Sequence, residues 1–360
     1  FISAKLKERE NRHEKHGQRY MVEPNVKEGK GGLRDLQSLY WIAKYVYQTQ
    51  NISDLVDLNV FRSDEYLQFE QAEEFLWAVR CQMHHLADRA IEQLSFDLQV
   101  EVASAMGYHD SRDQRAVEIF MQDYFRHATR VGDLTRIFLT SLEAVHAKDE
   151  PLLERIFKRK PKIDNNYIVI HNRLAIKSEK EFLTNPINLL KLFSEALRTG
   201  LLIHPNAMRL VSANLAMVNN EFRASTEAQQ IFLELLLKHG NPERALRRMN
   251  ELGFLAKFIP EFEPIVAMMQ FNMYHSYTVD EHTIQCLKTL AQIEKGELVE
   301  ELPIASSILK DGVNRKVIYI ALLLHDIGKG RSDDHSILGA KIAKQVSPRL
   351  GLNKQETETV

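Results

Sequence analysis

Apolar residues recur at three- and four-residue spacing along almost the entire chain, and only one stretch, YIVIHNRLAIK at 167–177, has the β-rich composition of paired strands. A chain patterned in this way must bury helical stripes against one another. The expected fold is therefore all-α, mainly helical bundles, with one small β-hairpin turning at His171-Asn172-Arg173. With 360 residues, 44% of them hydrophobic, there is apolar surface for two or three domains rather than one.

Residues 1–18 are charged and helix-prone. Pro24 and the glycines at 29, 31 and 32 then impose a loop, RYMVEPNVKEGKGG, with room for a short strand. Leu36, Leu39, Tyr40, Ala43, Val46 and Tyr47 predict a helix from Leu33 to about Gln48. Longer helices are expected from about Asp64 to Ala90, behind Ser63 as N-cap, and from about Gln114 to His146. The basic run KRKPK, 158–162, reads as a solvated linker, which puts a boundary near residue 147. Helices resume from Pro186. Asn241-Pro242 opens one that Gly253 closes, and Thr278-x-x-Glu281 has capping-box spacing ahead of another.

Charge and cysteine usage exclude several classes. Lys and Arg number 47 against 49 Asp and Glu, so no global charge draws the chain to nucleic acid or an anionic membrane, and neither is expected as a partner. No apolar run reaches the ~18 residues of a membrane span, and FISAKLKERENRHEK does not read as a signal peptide. Cys81 and Cys286 have no CxxC spacing and read as buried thiols of a reducing, cytoplasmic compartment. The first residue is Phe rather than Met, so the chain is expected to be a fragment.

The stretch LLLHDIGKGRSDDHS, 322–336, carries the chemistry. On a helix over about 315–326, Ile318, Ala321, Leu322 and His325 share one face, so His325 is expected to end an apolar stripe and point toward the core. Imidazole and carboxylate suit zinc, manganese or iron, and carboxylate suits magnesium as well. His325 and Asp326 at a helix terminus can reach one ion, and His282, in the first turn of a capped helix, can complete a facial set. His335, in the connecting segment behind Asp333 and Asp334, can add a ligand. Such a set leaves room for water and a phosphate oxygen, and a metal-bound water ionises near neutrality. Lys329 would offset phosphate charge. The bland alternative is that His325 only caps a helix C-terminus.

GKGGLRD, 29–35, runs into a helix N-terminus, where backbone N–H groups with Lys27, Lys30 and Arg34 can contact a nucleotide phosphate. No Walker or Rossmann spacing is met, and the simpler reading is a tight turn and helix start. His84-His85 with Asp88 is assigned no function.

YTVDEHT, 277–283, together with LLLHDIGKG and DHSILGA, 334–340, resembles the HD phosphohydrolase superfamily, whose pattern is H…HD…D. EPNVKEGKGGLRDLQSLYWIAK, 23–44, preceded by FISAKLKERENRHEKHG, resembles the segment that follows the nucleotidyltransferase core in the bifunctional uridylyltransferase/uridylyl-removing family acting on the nitrogen-signalling protein PII. The resemblance spans nearly the whole chain. It implies a helical region at 1–146, a linker, hairpin and helical connector at 147–262, and an HD domain at 263–360. The family's GS-plus-DxD motif, its ACT domains and the last HD aspartate are expected outside the chain.

The resemblance also implies metal positions at His282, His325 and Asp326, with His335 as a further match, and Mg²⁺ or Mn²⁺ as cofactor. The implied activity is hydrolytic removal of UMP from uridylylated PII in the bacterial cytoplasm, within an enzyme that uridylylates PII from UTP and answers to glutamine through domains absent here. Two alternatives stand beside it: an HD phosphohydrolase of a small nucleotide such as an alarmone or cyclic dinucleotide, and a catalytically silent helical scaffold.

Overall fold

The computed structural model describes residues 1–16, 19–146, 162–271, 276–310, 312–331 and 334–360, and these form helices and one small sheet. They divide into two compact units, residues 1–146 with 267–279 and residues 147–266 with 280–360.

The first unit contains α1 (Ile2–His16), α2 (Leu33–Tyr47), the single turn α3 (Asp54–Asp57), α4 (Ser63–Ala87), α5 (Phe96–Ala105) and α6 (Ala116–His146). Helices α4 and α6 pack together and against α2 and α5. Phe69, Ala72, Leu76, Val79 and Met83 form the buried stripe of α4, and Phe120, Tyr124, Phe125, Val131 and Phe138 are buried along α6. Each large apolar side chain buried this way contributes about 1.5–3 kcal/mol. Cys81 lies two residues from both Val79 and Met83, off that stripe, and is exposed rather than buried as expected. Ser63 is not the cap of α4 either: Arg62 is, and Glu65 Oε2 accepts its backbone N–H at 2.9 Å.

The glycine loop is built by close approach. A Cβ on Gly31, whose φ is +86°, would stand 2.5 Å from the Ala128 carbonyl oxygen, and one on Gly32 would stand 2.5 Å from that of Val26. The turn therefore requires glycine at both positions. Just beyond it, buried Asp35 accepts the Gly31 N–H at 2.9 Å and binds Arg9, Arg12 and His13 of α1. One carboxylate thus ties α1 to the start of α2. The strand expected in this loop appears as an isolated bridge between Met21 and Tyr277, flanked by a hydrogen bond from the Val22 N–H to the Ser276 carbonyl.

In the second unit, β1 (Tyr167–Ile170) and β2 (Arg173–Ile176) pair antiparallel. His171 and Asn172 turn the chain with φ of +47° and +57°, the conformation that a two-residue hairpin turn demands. A two-residue strand, β3 (Leu202–Ile203), adds parallel to β2 and extends the expected hairpin to a three-stranded sheet. Around it run α7 (Glu179–Phe182), α8 (Asn188–Thr199), α9 (Pro205–Ala213), α10 (Asn220–Ala224), α11 (Thr226–Leu237), α12 (Glu243–Glu251) and α13 (Phe254–Phe258). Phe193, Phe222, Phe232, Phe254 and Phe258 interlock with ring separations of 5.0–6.3 Å. Asn241 Oδ1 accepts the Glu243 N–H, but the N-cap of α12 is Pro242 rather than Asn241 as expected; Gly253 follows the end of α12 with φ +74°, as the sequence predicts. Residues 158–161 of KRKPK lie outside the described residues.

The C-terminal part comprises α14 (Val279–Glu294), α15 (Pro303–Lys310), α16 (Arg315–Leu324), α17 (His335–Arg349) and α18 (Lys354–Thr359). No described helix is long and apolar enough to cross a membrane.

Candidate metal centre

Helix α14 is fixed at both ends. At its start, Glu281 accepts from Arg247 and Gln285, while Asn250 donates to Asp280 at 2.7 Å. Arg247 draws Glu281 away from the helix end, and the Thr278 hydroxyl finds no partner among the described residues, so the expected capping box does not form. At its end, Glu294 accepts from the Tyr319 hydroxyl at 2.8 Å and from Arg315 Nε at 2.7 Å. Those two bonds join α14 to α16, the helices that carry His282 and His325.

The buried face of α16 is Tyr319, Ile320, Leu323 and Leu324. His325 follows as the C-cap on the opposite, more open side, its side chain 31% exposed, and does not end a core-directed stripe as expected. Its Nδ1 lies 2.7 Å from the Leu322 carbonyl oxygen. A carbonyl only accepts, so Nδ1 carries the proton and Nε2 presents a lone pair. That lone pair faces Asp326 Oδ2 at 3.3 Å. Two electron-pair donors at this separation call for a proton or a cation between them.

The electrostatics agree. Burial opposes ionisation of Asp326, but the hydrogen bond that the doubly protonated His325 ring donates from Nε2, with the one from Lys329, outweighs it and holds the carboxyl well below the usual carboxylate range. The same bond with Asp326 outweighs burial at His325 and raises its pKa, with the Leu322 carbonyl adding to the effect. Lys329 Nζ sits 2.9 Å from Asp326 Oδ2, so its ammonium is engaged with the carboxylate.

His282 approaches from α14, its ring centroid 5.4 Å from that of His325. Donor atoms of His282, Cys286 and His325 all lie within 4.8 Å of one another. The H…HD…D pattern does not include Cys286, although His-x-x-x-Cys on a helix puts both side chains on one face one turn apart. Its Sγ is 3.6 Å from His282 Nε2, and burial followed by the Asp326 charge pushes its thiol up. Imidazole nitrogen, carboxylate oxygen and sulfur suit a borderline divalent ion, so the residues present fit a metal.

His335 is placed differently from the expectation. It is the first residue of α17 rather than part of a connecting segment; it is exposed and stands outside the group of donors within 4.8 Å. What approaches the HD turn is its backbone. A Cβ on Gly328 would meet the His335 carbonyl oxygen at 2.2 Å and the Gly339 nitrogen at 2.7 Å, so two glycines let α17 lie directly on residues 325–328. Asp334 caps α17 by accepting from the Ser336 and Ile337 N–H groups. Asp333 lies outside the described residues. Lys30 and Arg34 belong to the first unit, where the Arg34 guanidinium is engaged by Glu28 and Gln37 and lies 5.5 Å from the centroid of the Trp41 ring. His84 lies 3.8 Å from Glu92.

Comparison with known proteins gives the class first. Residues 279–360 match the HD domain family, so the centre lies in an HD domain, a class of generally metal-dependent hydrolases. Residues 1–139 match the family described as GlnD PII-uridylyltransferase, and residues 167–258 match the uridylyltransferase GlnD third domain. Proteins named bifunctional uridylyltransferase/uridylyl-removing enzyme are similar over the whole chain: 68% identical in Ruegeria pomeroyi, 63% in Cereibacter sphaeroides and 47% in Azospirillum brasilense. The chain spans about 40% of the length of these curated relatives.

Proposed function

We propose that this chain carries the uridylyl-removing half of a bifunctional enzyme: hydrolysis of the bond between UMP and a tyrosine of the PII protein. The observation that carries the reading is the meeting of His282 from α14 with the His325-Asp326 pair at the end of α16. The HD match over 279–360 and the names of the relatives support it.

In this reading His282, His325 and Asp326 hold a divalent ion, Mg²⁺ or Mn²⁺ by preference. Such an ion supplies Lewis-acid chemistry, lowering the pKa of a water and polarising a phosphoryl oxygen. The chain's own residues prepare the site for it. The Leu322 carbonyl fixes the His325 tautomer that leaves Nε2 free to donate. Lys329 orients the Asp326 carboxylate and keeps it ionised, and, one turn from the His325-Asp326 pair, it would offset phosphate charge. His335, at the mouth of α17, is a further ligand only if its side chain turns inward.

PII is the proposed protein substrate, with UTP serving the transferase half and glutamine acting through regions beyond this segment, in the bacterial cytoplasm. A phosphate contact at Lys30 and Arg34 belongs to that transferase half. The proposed organisation is a post-transferase helical region at 1–146, a connector at 147–262 and the HD domain at 263–360. Product analysis tests the activity: the full-length enzyme should release UMP from uridylylated PII with Mn²⁺ present, and the His325→Ala, Asp326→Ala variant should release none. Release that is unchanged in that variant would overturn the assignment.

A further inference from the structure

Resting on the metal centre read above, we propose that Cys286 is a further donor there, giving the HD site a second, four-coordinate mode selective for a borderline-soft ion such as zinc. The donors would be His282 Nε2, Cys286 Sγ, His325 Nε2 and the Asp326 carboxylate. Cys286 lies outside the H…HD…D pattern, and it is one of only two cysteines in the chain.

The observed separations suit a tetrahedral ion. With zinc–nitrogen bonds of about 2.0–2.1 Å and a zinc–sulfur bond of about 2.3 Å, the tetrahedral angle puts nitrogen and sulfur about 3.5 Å apart, and nitrogen and oxygen about 3.3 Å apart. Cys286 Sγ and His282 Nε2 are separated by 3.6 Å, and His325 Nε2 and Asp326 Oδ2 by 3.3 Å. An octahedral ion with bonds near 2.1 Å wants neighbouring donors about 3.0 Å apart. Donor atoms of the two imidazoles and the thiol lie within 4.8 Å of one another; the Asp326 carboxylate stands outside that group and joins the set through its 3.3 Å approach to His325.

Ligand softness points the same way. Magnesium and manganese favour carboxylate and water oxygen, so the thiol adds nothing for them; zinc gains a strong ligand. The two modes differ in consequence. Two histidines and an aspartate leave coordination positions open for water and phosphate. Adding the thiolate closes a four-coordinate ion with protein donors alone, the arrangement of non-catalytic zinc sites. Zinc held through Cys286 therefore blocks the centre rather than activating it.

The test uses the 360-residue chain carrying Cys81→Ser, which leaves Cys286 as the one thiol of this segment. Loaded with Co²⁺ as a zinc surrogate, it should show thiolate-to-cobalt absorption in the near ultraviolet, and zinc should protect Cys286 from alkylation. Adding Cys286→Ser should abolish the absorption and weaken zinc binding by at least about tenfold, while His282→Ala weakens both zinc and Mn²⁺. Absence of the thiolate band, with zinc affinity equal in the presence and absence of Cys286, would overturn the proposal even where Mn²⁺ binds. A chain that binds zinc through Cys286 but never binds Mn²⁺ upholds it and instead counts against the hydrolase reading.

Discussion

The imidazole ring of His282 stands edge-on to that of His325, with centroids 5.4 Å apart and planes inclined at 61°. The two residues are 43 positions apart in sequence and on different helices, so what brings them together is the packing of α14 against its neighbours. The geometry of that packing can be tested residue by residue.

The bond between Tyr319 and Glu294 holds α16 to α14. Tyr319→Phe removes the hydroxyl and leaves Glu294 paired with Arg315. The expected cost is about 1 kcal/mol, the usual net value of one hydrogen bond, seen as a lower midpoint in urea unfolding. Because the ring stays, Mn²⁺ affinity should fall by less than about tenfold.

Lys329 is engaged by Asp326, and its removal should be read through that carboxylate. Lys329→Met takes away one of the hydrogen bonds that depress the Asp326 pKa, so the carboxyl titrates at higher pH than in the parent. A carboxylate with a depressed folded pKa keeps its contribution above its unfolded pKa and loses it as pH falls. The acid limb of Mn²⁺ binding should therefore move upward in the variant. Binding measured from pH 4 to 8 checks this, and superimposable acid limbs would argue that Lys329 does not act on Asp326.

Gly328 leaves no room for a side chain. Alanine there would place its Cβ 2.2 Å from the His335 carbonyl oxygen, which is backbone and cannot swing aside. Gly328→Ala should push α17 off the HD turn, at a cost of about 1–3 kcal/mol or more. A fitting comparison is Gly107→Ala, which meets nothing within 4 Å and bears only the strain of its +81° φ. Thermal unfolding of the two variants should rank Gly328→Ala as the more destabilised.

Asp35 should dominate the acid sensitivity of the first unit. Burial opposes its ionisation, yet His13, Arg9 and the Gly31 N–H outweigh it and hold the carboxyl far below its ordinary pKa. Its stabilisation is complete above the unfolded value of about 3.9 and is lost as pH falls below it. Asp35→Asn should remove that acid dependence and cost about 3–5 kcal/mol at neutral pH, because Arg9 and Arg12 lose their shared buried partner. Urea unfolding at pH 3, 5 and 7 measures both effects.

The helices were legible because each long one carries its own stripe: α4 and α6 are readable from residues three and four apart. The hairpin was legible because His171-Asn172 sits between two short β-rich runs. Where the sequence misled, a distant partner had intervened. Thr278 and Glu281 have the spacing of a capping box, but Arg247, 34 residues away, takes the Glu281 carboxylate. The spacing puts His325 on an apolar stripe of α16, whereas Tyr319, Ile320, Leu323 and Leu324 form the face that is buried. Two-residue β3 carries too few residues for any period. In the centre, the histidines and aspartate follow a recognisable pattern, but Cys286 enters only because α14 presents it one turn from His282.

Equilibrium binding of Mn²⁺ to the purified chain reports on the metal centre itself. One ion per chain should bind at the α14–α16 junction, and the His325→Ala, Asp326→Ala variant should lose that binding by about a hundredfold or more while remaining folded by circular dichroism. Equal Mn²⁺ binding by parent and variant would mean that these residues do not form a metal centre.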